Sequence, residues 1–451
     1  MQIVCFFSSS EIILKVLLLL FYKKKKIIIK EEYYNINTII NYNLKAIDRE
    51  SVNECIINMH KTFLGNLSRN NTLVLISGTS DINLVNYERN EIKKLKINIY
   101  NILKERAIEY INNSENYNIT LEINKKNNYN LIWNQYNKKN FRENYEEYCK
   151  EIIEKIIYLK RNAKILKKCG QYQDLIKWIN GYKYGYTYKD KEIYGNQVRK
   201  EEKLFEESYN SLKIFNKDYK YTLILDSDSY IEEGELFKLL NIAEKNSDYI
   251  IIQPQIEFHS NKTIFSKIQD ILQKNNNIIN SYLYEYIGKS NFYGKGLIKN
   301  KEYLYKCIGT QNNLIEYIPI NAMSHDTFES IILPTLYTDK VSIKELCPEN
   351  YIAWNIREIR WNYGDIIVGK HIYPKIFCRT NPPMSRNKFK LSFEESYNAL
   401  SSIRIIFMKP LLLLFIIQSN FIYLHKPLIP MIFMLFSLLI IPSFINLKKI
   451  Q

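Results

Sequence analysis

Tyr221-Thr222-Leu223-Ile224-Leu225-Asp226-Ser227-Asp228-Ser229 is the stretch on which the fold turns. Five strand-forming residues run straight into a polar turn with carboxylates at i and i+2. A helical pattern follows, opened by Ile231-Glu232-Glu233-Gly234 and carried by Leu236, Phe237, Leu239, Leu240 and Ile242. Strand, acidic turn and helix in that order form the unit of an open α/β sheet, whose ligands sit outside the carboxyl ends of its strands. Two acidic side chains on such a turn can converge on one hard divalent cation, which would also hold the diphosphate of a nucleotide-sugar. The plainer alternative is a turn that caps the helix.

Moving outward, Thr72-Leu73-Val74-Leu75-Ile76-Ser77 reads as a buried strand ending in the turn Gly78-Thr79-Ser80-Asp81. Residues 88–112 and 140–160 read as charged helices. Residues 118–123 and the run Tyr249-Ile250-Ile251-Ile252-Gln253-Pro254 read as further strands. The alternation predicts an α/β domain with a largely parallel sheet, of GT-A-like architecture, over residues 65–385. A charged insert occupies about 182–218, and no internal repeat interrupts the order.

Composition narrows the classes. The 451 residues include only 13 Gly and 11 Pro, which excludes collagen-like and Pro-rich disordered chains, and 46% are hydrophobic. Seven Cys without a C-x-x-C pair argue against a zinc site or a disulfide framework. The net charge of +16 comes mostly from Lys scattered singly through an Asn-, Ile- and Tyr-rich chain. That pattern is compositional bias, so no nucleic-acid partner is expected.

The one dense basic run, Lys23-Lys24-Lys25-Lys26, follows an apolar stretch from Ile12 to Tyr22. It reads as an N-terminal membrane anchor over residues 1–26 with its positive flank on the cytosolic side. Two further stretches, Ile403–Tyr423 and Pro427–Ile445, each come close to the ~20 residues a helix needs to cross a bilayer. With Gln418, Ser419, Asn420, His425 and Lys426 between them, they read as a transmembrane hairpin over 403–447; buried core helices are the alternative. The expected protein is integral and multi-pass, with the lipid bilayer as a partner and the catalytic domain in the cytosol.

Two more motifs carry chemistry. Ser324-His325-Asp326 precedes Phe328-Glu329-Ser330-Ile331-Ile332-Leu333, where Asp326 sits at an N-cap-like position and by itself reads as a helix cap. Arg357-Glu358-Ile359-Arg360-Trp361 is a surface ion-pair helix, or a cationic patch for a leaving diphosphate with an aromatic face for a sugar ring. Taken in order, strand-D-x-D, Asp326, R-x-x-R-W and apolar segments, the succession resembles the membrane-bound glycosyltransferases of family 2. Within them it is most similar to the bacterial periplasmic-glucan glucosyltransferase H type. That family carries R-x-x-R-W where most relatives have Q-x-x-R-W, and its D-A-D-S, S-H-D-F-x-E and S-Y-E-E-x-P-P boxes have counterparts here. These are Asp226–Ser229, Ser324–Glu329 and Ser342–Pro348. Its K-x-G-N box corresponds to Lys168-Cys169-Gly170-Gln171, with Asp174, Lys177 and Trp178 following.

The resemblance implies inverting transfer of a sugar, expected to be glucose from UDP-glucose, to a glycan or other hydroxyl acceptor. Asp226 and Asp228 would bind Mg²⁺ or Mn²⁺, and Asp326 would be the general base. Arg357 and Arg360 would face the diphosphate, Lys168 and Gly170 would line the donor, and Trp361 would stack on the acceptor. Gln171 stands where the family has Asn, and neither Asp81 nor Glu122 suits the family's early donor-base Asp. An exporting enzyme would need more spans than these, from a homo-oligomer or a partner. The alternatives are a decayed, membrane-anchored scaffold on the same fold, and a chitin- or cellulose-synthase-like polymerase.

Overall fold

In the computed structural model of the chain, residues 36–115, 138–162, 167–188, 199–259, 262–308, 326, 329–330 and 333–372 are described, with the isolated positions 17 and 22. The strands in chain order are β1 (Thr38–Leu44), β2 (Asn71–Ser77), β3 (Ile156–Lys160), β4 (Tyr184–Tyr188), β5 (Arg199–Lys203), β6 (Tyr221–Asp226), β7 (Ser229–Ile231), β8 (Ile251–His259), β9 (Gly296–Lys299) and β10 (Thr335–Leu346). The helices are α1 (Arg49–Gly65), α2 (Ile82–Glu115), α3 (Lys138–Glu154), α4 (Lys167–Ile179), α5 (Tyr209–Ile214), α6 (Glu235–Lys245), α7 (Ile264–Ile287), α8 (Asn300–Tyr303) and α9 (Tyr351–Ile372).

Eight strands form one sheet in the order β3-β2-β1-β6-β9-β8-β10-β7, and β4 and β5 form a separate hairpin. The first four run parallel, with β1 between β2 and β6 in register from Thr38 onward. β9 then enters antiparallel between β6 and β8, and β7 pairs antiparallel with β10. The sheet is therefore mixed but largely parallel, as expected: β3, β2, β1, β6, β8 and β10 share one direction, and only the short β9 and β7 oppose it. Chain order reverses between β1 and β6, so the crevice at their carboxyl ends is a topological switch point, where such sheets take ligands.

Both faces of the parallel half are covered, as its apolar strands require. Ile40, Tyr42, Leu73, Leu75, Leu223 and Leu225 pack toward α1, α2, α3 and α6. Ile39, Val74, Ile76, Ile157 and Leu159 pack on the other face against Leu175, Trp178 and Ile179 of α4 and Ile214 of α5. Each fully buried large side chain of this kind contributes roughly 1.5–3 kcal/mol.

Several boundaries differ from the sequence reading. The sheet begins at Thr38, so a domain start at residue 65 omits β1 and α1. Residues 156–160 are an edge strand and not the end of a helix; Ile156 and Ile157 are buried while Tyr158 and Lys160 are half-exposed. The expected insert holds the β4–β5 hairpin and α5. The helix after Asp228 starts only at Glu235, because Ser229–Ile231 pairs with Glu345–Ile343 of β10. The predicted strand at 118–123 and the membrane segments of residues 1–26 and 403–447 lie outside the described residues, apart from positions 17 and 22. Among the described residues no helix is long and apolar enough to cross a membrane.

Candidate active site

β6 delivers Asp226 to the end of the switch-point crevice, and the turn after it is fixed from behind by α1. Asn58 and Thr62 of that helix stand at i and i+4 on one face, and Asn66 at its C-cap continues the spacing. Asn58 donates to the Ser227 carbonyl (2.9 Å), and Thr62 Oγ1 accepts from the Ile231 amide (3.3 Å). Asn66 donates to the Glu232 carbonyl (3.0 Å) and accepts from the Leu236 amide (3.0 Å). Tyr42 adds a bond to the Ser229 carbonyl (3.0 Å). These bonds satisfy the carbonyls of Ser227, Ser229 and Glu232 and the amides of Ile231 and Leu236, which anchors the acidic turn from behind.

The two aspartates then meet different company. Asp226 Oδ1 lies 2.5 Å from Lys168 Nζ of α4, and its Oδ2 lies 3.1 Å from Lys295 Nζ. Lys295, the residue before β9, also pairs with Glu345 of β10, and Glu345 in turn pairs with Arg357 of α9. Arg357 reaches Asp228 Oδ2 at 3.5 Å. Three carboxylates and three cations thus form one connected network. Lys295 and Glu345 are each 5% exposed, whereas Asp226 and Asp228 are 27% and 28% exposed at its open edge.

Burial alone would raise the Asp226 carboxyl, but Lys168 and Lys295 outweigh it and hold it well below the ordinary carboxylate range. Asp228 moves the other way. Burial, with Glu345 and Asp226 close by, pushes it up against the pull of Lys295 and Arg357. Burial would lower Lys295, and Glu345 and Asp226 overcome that to keep it firmly protonated.

Asp326 enters from the chain segment ahead of β10. Its carboxylate packs on the Cα of Gly294, where a Cβ would lie 2.7 Å from Oδ2, and Gly294 holds φ at +72°. The positive φ favours glycine there, and the missing Cβ leaves room for the carboxylate. Since Lys295 follows directly, Asp326 comes to the same corner as Asp226. Three residues on, the buried Glu329 accepts hydrogen bonds from Tyr172 Oη (2.5 Å), Tyr303 Oη and Cys169 Sγ (3.6 Å). Gln173 donates to Tyr303 Oη at 3.0 Å. This knot ties the Asp326 segment to α4, the helix that carries Lys168 and Gly170.

Of the residues expected at the site, Asp226, Asp228, Lys168 and Arg357 are joined directly, and Asp326 lies beside them. Gly170 is buried in α4. Trp361 is half-exposed one turn after Arg357, whose guanidinium sits 5.2 Å from its ring, and the Trp354 edge faces it at 6.3 Å. Arg360, just under one turn on from Arg357 in α9, is exposed and is not one of the described members of the network. Asp81 is exposed and accepts from the Asn83 amide (2.8 Å), which makes it a helix cap. Lys295, Glu345 and the set Asn58, Thr62 and Asn66 carry no role in the sequence reading.

Hard carboxylate and hydroxyl oxygens suit a divalent cation. Asp226 has both oxygens on ammonium groups, so the pair is not symmetric. Asp228 is the carboxylate short of positive charge, and the Ser229 hydroxyl is 3.2 Å from its Oδ1. The donor set fits a cation at Asp228, with the remaining ligands coming from outside the protein. Among the described residues no three His, Cys, Asp or Glu side chains converge as a ready-made chelate.

No protein-family model matches the chain, and no curated protein does. Among solved structures it is similar to a mannosyltransferase from Pyrobaculum calidifontis in complex with GDP-Man and Mn²⁺, at TM-score 0.41 and 9% identity over 99% of this chain and 96% of that one. It is also similar to S. aureus TarS 1–349 in complex with UDP-GlcNAc, at TM-score 0.34 and 8% identity over 83% and 73%. Superpositions this loose, at identities this low, assign neither a family nor an activity.

Proposed function

We propose that the chain is a membrane-bound, inverting glycosyltransferase that moves a sugar from a nucleotide-sugar, UDP-glucose first among candidates, to a hydroxyl acceptor. The observation that carries the reading is the meeting of Asp226, Asp228, Asp326 and Arg357 at the carboxyl end of β6. These residues come from three separate parts of the sequence, and all four were expected there from the resemblance to family 2.

In this reading Asp326 takes the proton of the acceptor hydroxyl as its oxygen bonds to the anomeric carbon. The bond from that carbon to the donor phosphate breaks at the same time, and the nucleoside diphosphate leaves. Lys168 and Arg357 face the departing charge, where fixed cations stabilise the transition state most. Asp228, with the Ser229 hydroxyl, would hold Mg²⁺ or Mn²⁺, which when bound supplies further positive charge against the diphosphate. Trp361 offers its ring to the acceptor sugar. The apolar segments at both ends of the chain motivate the membrane placement. So does α9, which leaves Ile352, Ile356 and Ile359 exposed at i, i+4 and i+7.

The test is a panel of radiolabelled UDP-sugars and GDP-sugars given to membranes carrying the protein, with Asp326→Asn as the control. Transfer from one donor that disappears in Asp326→Asn is the expected result. Equal transfer by both proteins would remove Asp326 from the reaction, and no transfer from any donor would end the proposal.

A further inference from the structure

Lys295 is the residue that the proposed reaction leaves without a task, and it is the most deeply placed cation of the site. Its ammonium stands between Asp226 and Glu345, 3.1 Å from the first and in direct contact with the second. Glu345 spends its other oxygen on Arg357, and Asp226 spends its other oxygen on Lys168. The place where two carboxylates from neighbouring parts of the sheet would otherwise close on a metal is filled by a protein cation. Only Asp228 keeps an open side, and a single carboxylate is a poor chelate for an ion that wants six or more oxygens.

We infer that Lys295 is a resident counter-cation that closes the acidic centre to a free divalent ion, so that metal binds here together with a nucleoside diphosphate and not before it. The inference rests on the proposed nucleotide-sugar site and deepens it. The physical argument is one of charge and ligand count. In the free site each of three carboxylates already touches a protein cation, so an added dication gains one carboxylate and meets the repulsion of Lys168 and Lys295. A diphosphate brings the missing oxygens and the missing negative charge in one step. Metal and diphosphate then raise each other's affinity by the same factor, as linkage requires.

The experiment is a titration of the full chain, in detergent or membranes, with Mn²⁺ followed by its paramagnetic resonance signal, with and without saturating UDP or GDP. Mn²⁺ alone should bind weakly, and one of the two nucleotides should tighten it at least about tenfold, a coupling of ordinary size. Lys295→Met should bind Mn²⁺ without nucleotide at least about tenfold more tightly than the parent, whereas Lys295→Arg should behave like the parent. The melting transition of each variant is recorded alongside. If Lys295→Met does not fold, the parent titration still decides. Mn²⁺ that binds the parent equally well with and without nucleotide overturns the inference and leaves the proposed function standing. A Lys295→Met protein that folds and gains nothing also overturns it. Failure of both nucleotides to bind, with or without Mn²⁺, removes the proposed function and this inference together.

Discussion

Two ion-pair clusters lie on the α4 side of this fold, and they differ in one respect. Arg161, just after β3, is paired with Asp174 of α4 at 2.7 Å, and the two side chains are 5% and 8% exposed, with Lys177 4.0 Å from the same carboxylate. The Asp226–Lys295–Glu345–Arg357 network is as deeply buried at its centre. Its outer members, Lys168, Asp226 and Asp228, remain about a quarter exposed. A closed pair can only hold parts of the chain together. An open-edged network can exchange a partner for a ligand, and that difference separates structure from site.

The sharpest way to break the comparison is at Asp326. Asp326→Asn should lower transfer by roughly 10²–10⁴-fold, the range for loss of a general base, while UDP binding and the melting temperature stay near the parent. Radiolabel transfer and calorimetry on the same preparation check both halves. Asp174→Ala should do the reverse. It takes from the buried Arg161 the carboxylate 2.7 Å from its Nε, at a cost of about 3–5 kcal/mol in unfolding free energy, measured by denaturant titration. A site residue that unfolds the protein, or a closed pair that only affects transfer, would erase the distinction.

How much of this was readable beforehand follows the same line. β6 and its D-x-D were legible because five apolar residues run unbroken into a polar turn. β1, the central strand, was not, since Asn41 and Asn43 interrupt its apolar run. Yet both are buried, joined at 3.1 Å, and Asn43 lies opposite Asp226 in the register. Glu345 left a trace in the alternation Val341, Ile343, Glu345, where a charge falls on an inward position of β10. Lys295 left almost none: a lysine between two glycines says nothing until β9 is known to lie between β6 and β8. The set Asn58, Thr62 and Asn66 was visible as polar residues at helical spacing, but its purpose depends on a turn distant in sequence. Local pattern reports strands; it cannot report which charges meet across them.

A smaller effect is expected where the two clusters' helix is joined to the catalytic segment. Tyr303→Phe removes one hydroxyl from the buried Glu329 carboxylate and an acceptor from Gln173. Leaving such groups short of partners costs about 1–3 kcal/mol. The melting temperature should fall accordingly. Transfer should fall further than stability explains, because Glu329 carries Asp326 three residues before it. A kcat that falls while KM holds is the mark of displaced geometry; equal losses in both would reduce Glu329 to packing.

The smallest effect is also the most specific, because it sets two aspartates in one turn against each other. Asp226 is held below the ordinary carboxylate range, so its charge stabilises the fold above that range and the contribution is lost as pH falls through its lowered value. Asp228 is held above the range, so stability falls as pH rises from the ordinary value through the raised one, and the cost is then constant to neutral pH. Glu54 of α1, raised by its own burial and by Asp228, adds to that cost. Asp226→Asn should therefore lower the melting temperature at pH 7, and Asp228→Asn should raise it. The Asp228→Asn advantage should shrink in acid, once the parent carboxyl is protonated and nearly equivalent to the amide. Scanning calorimetry of the metal-free proteins from pH 3 to pH 8 measures both signs. A fold that gains stability when Asp228 is neutralised carries that charge for a ligand, whereas equal destabilisation by both variants would make the turn an ordinary structural one.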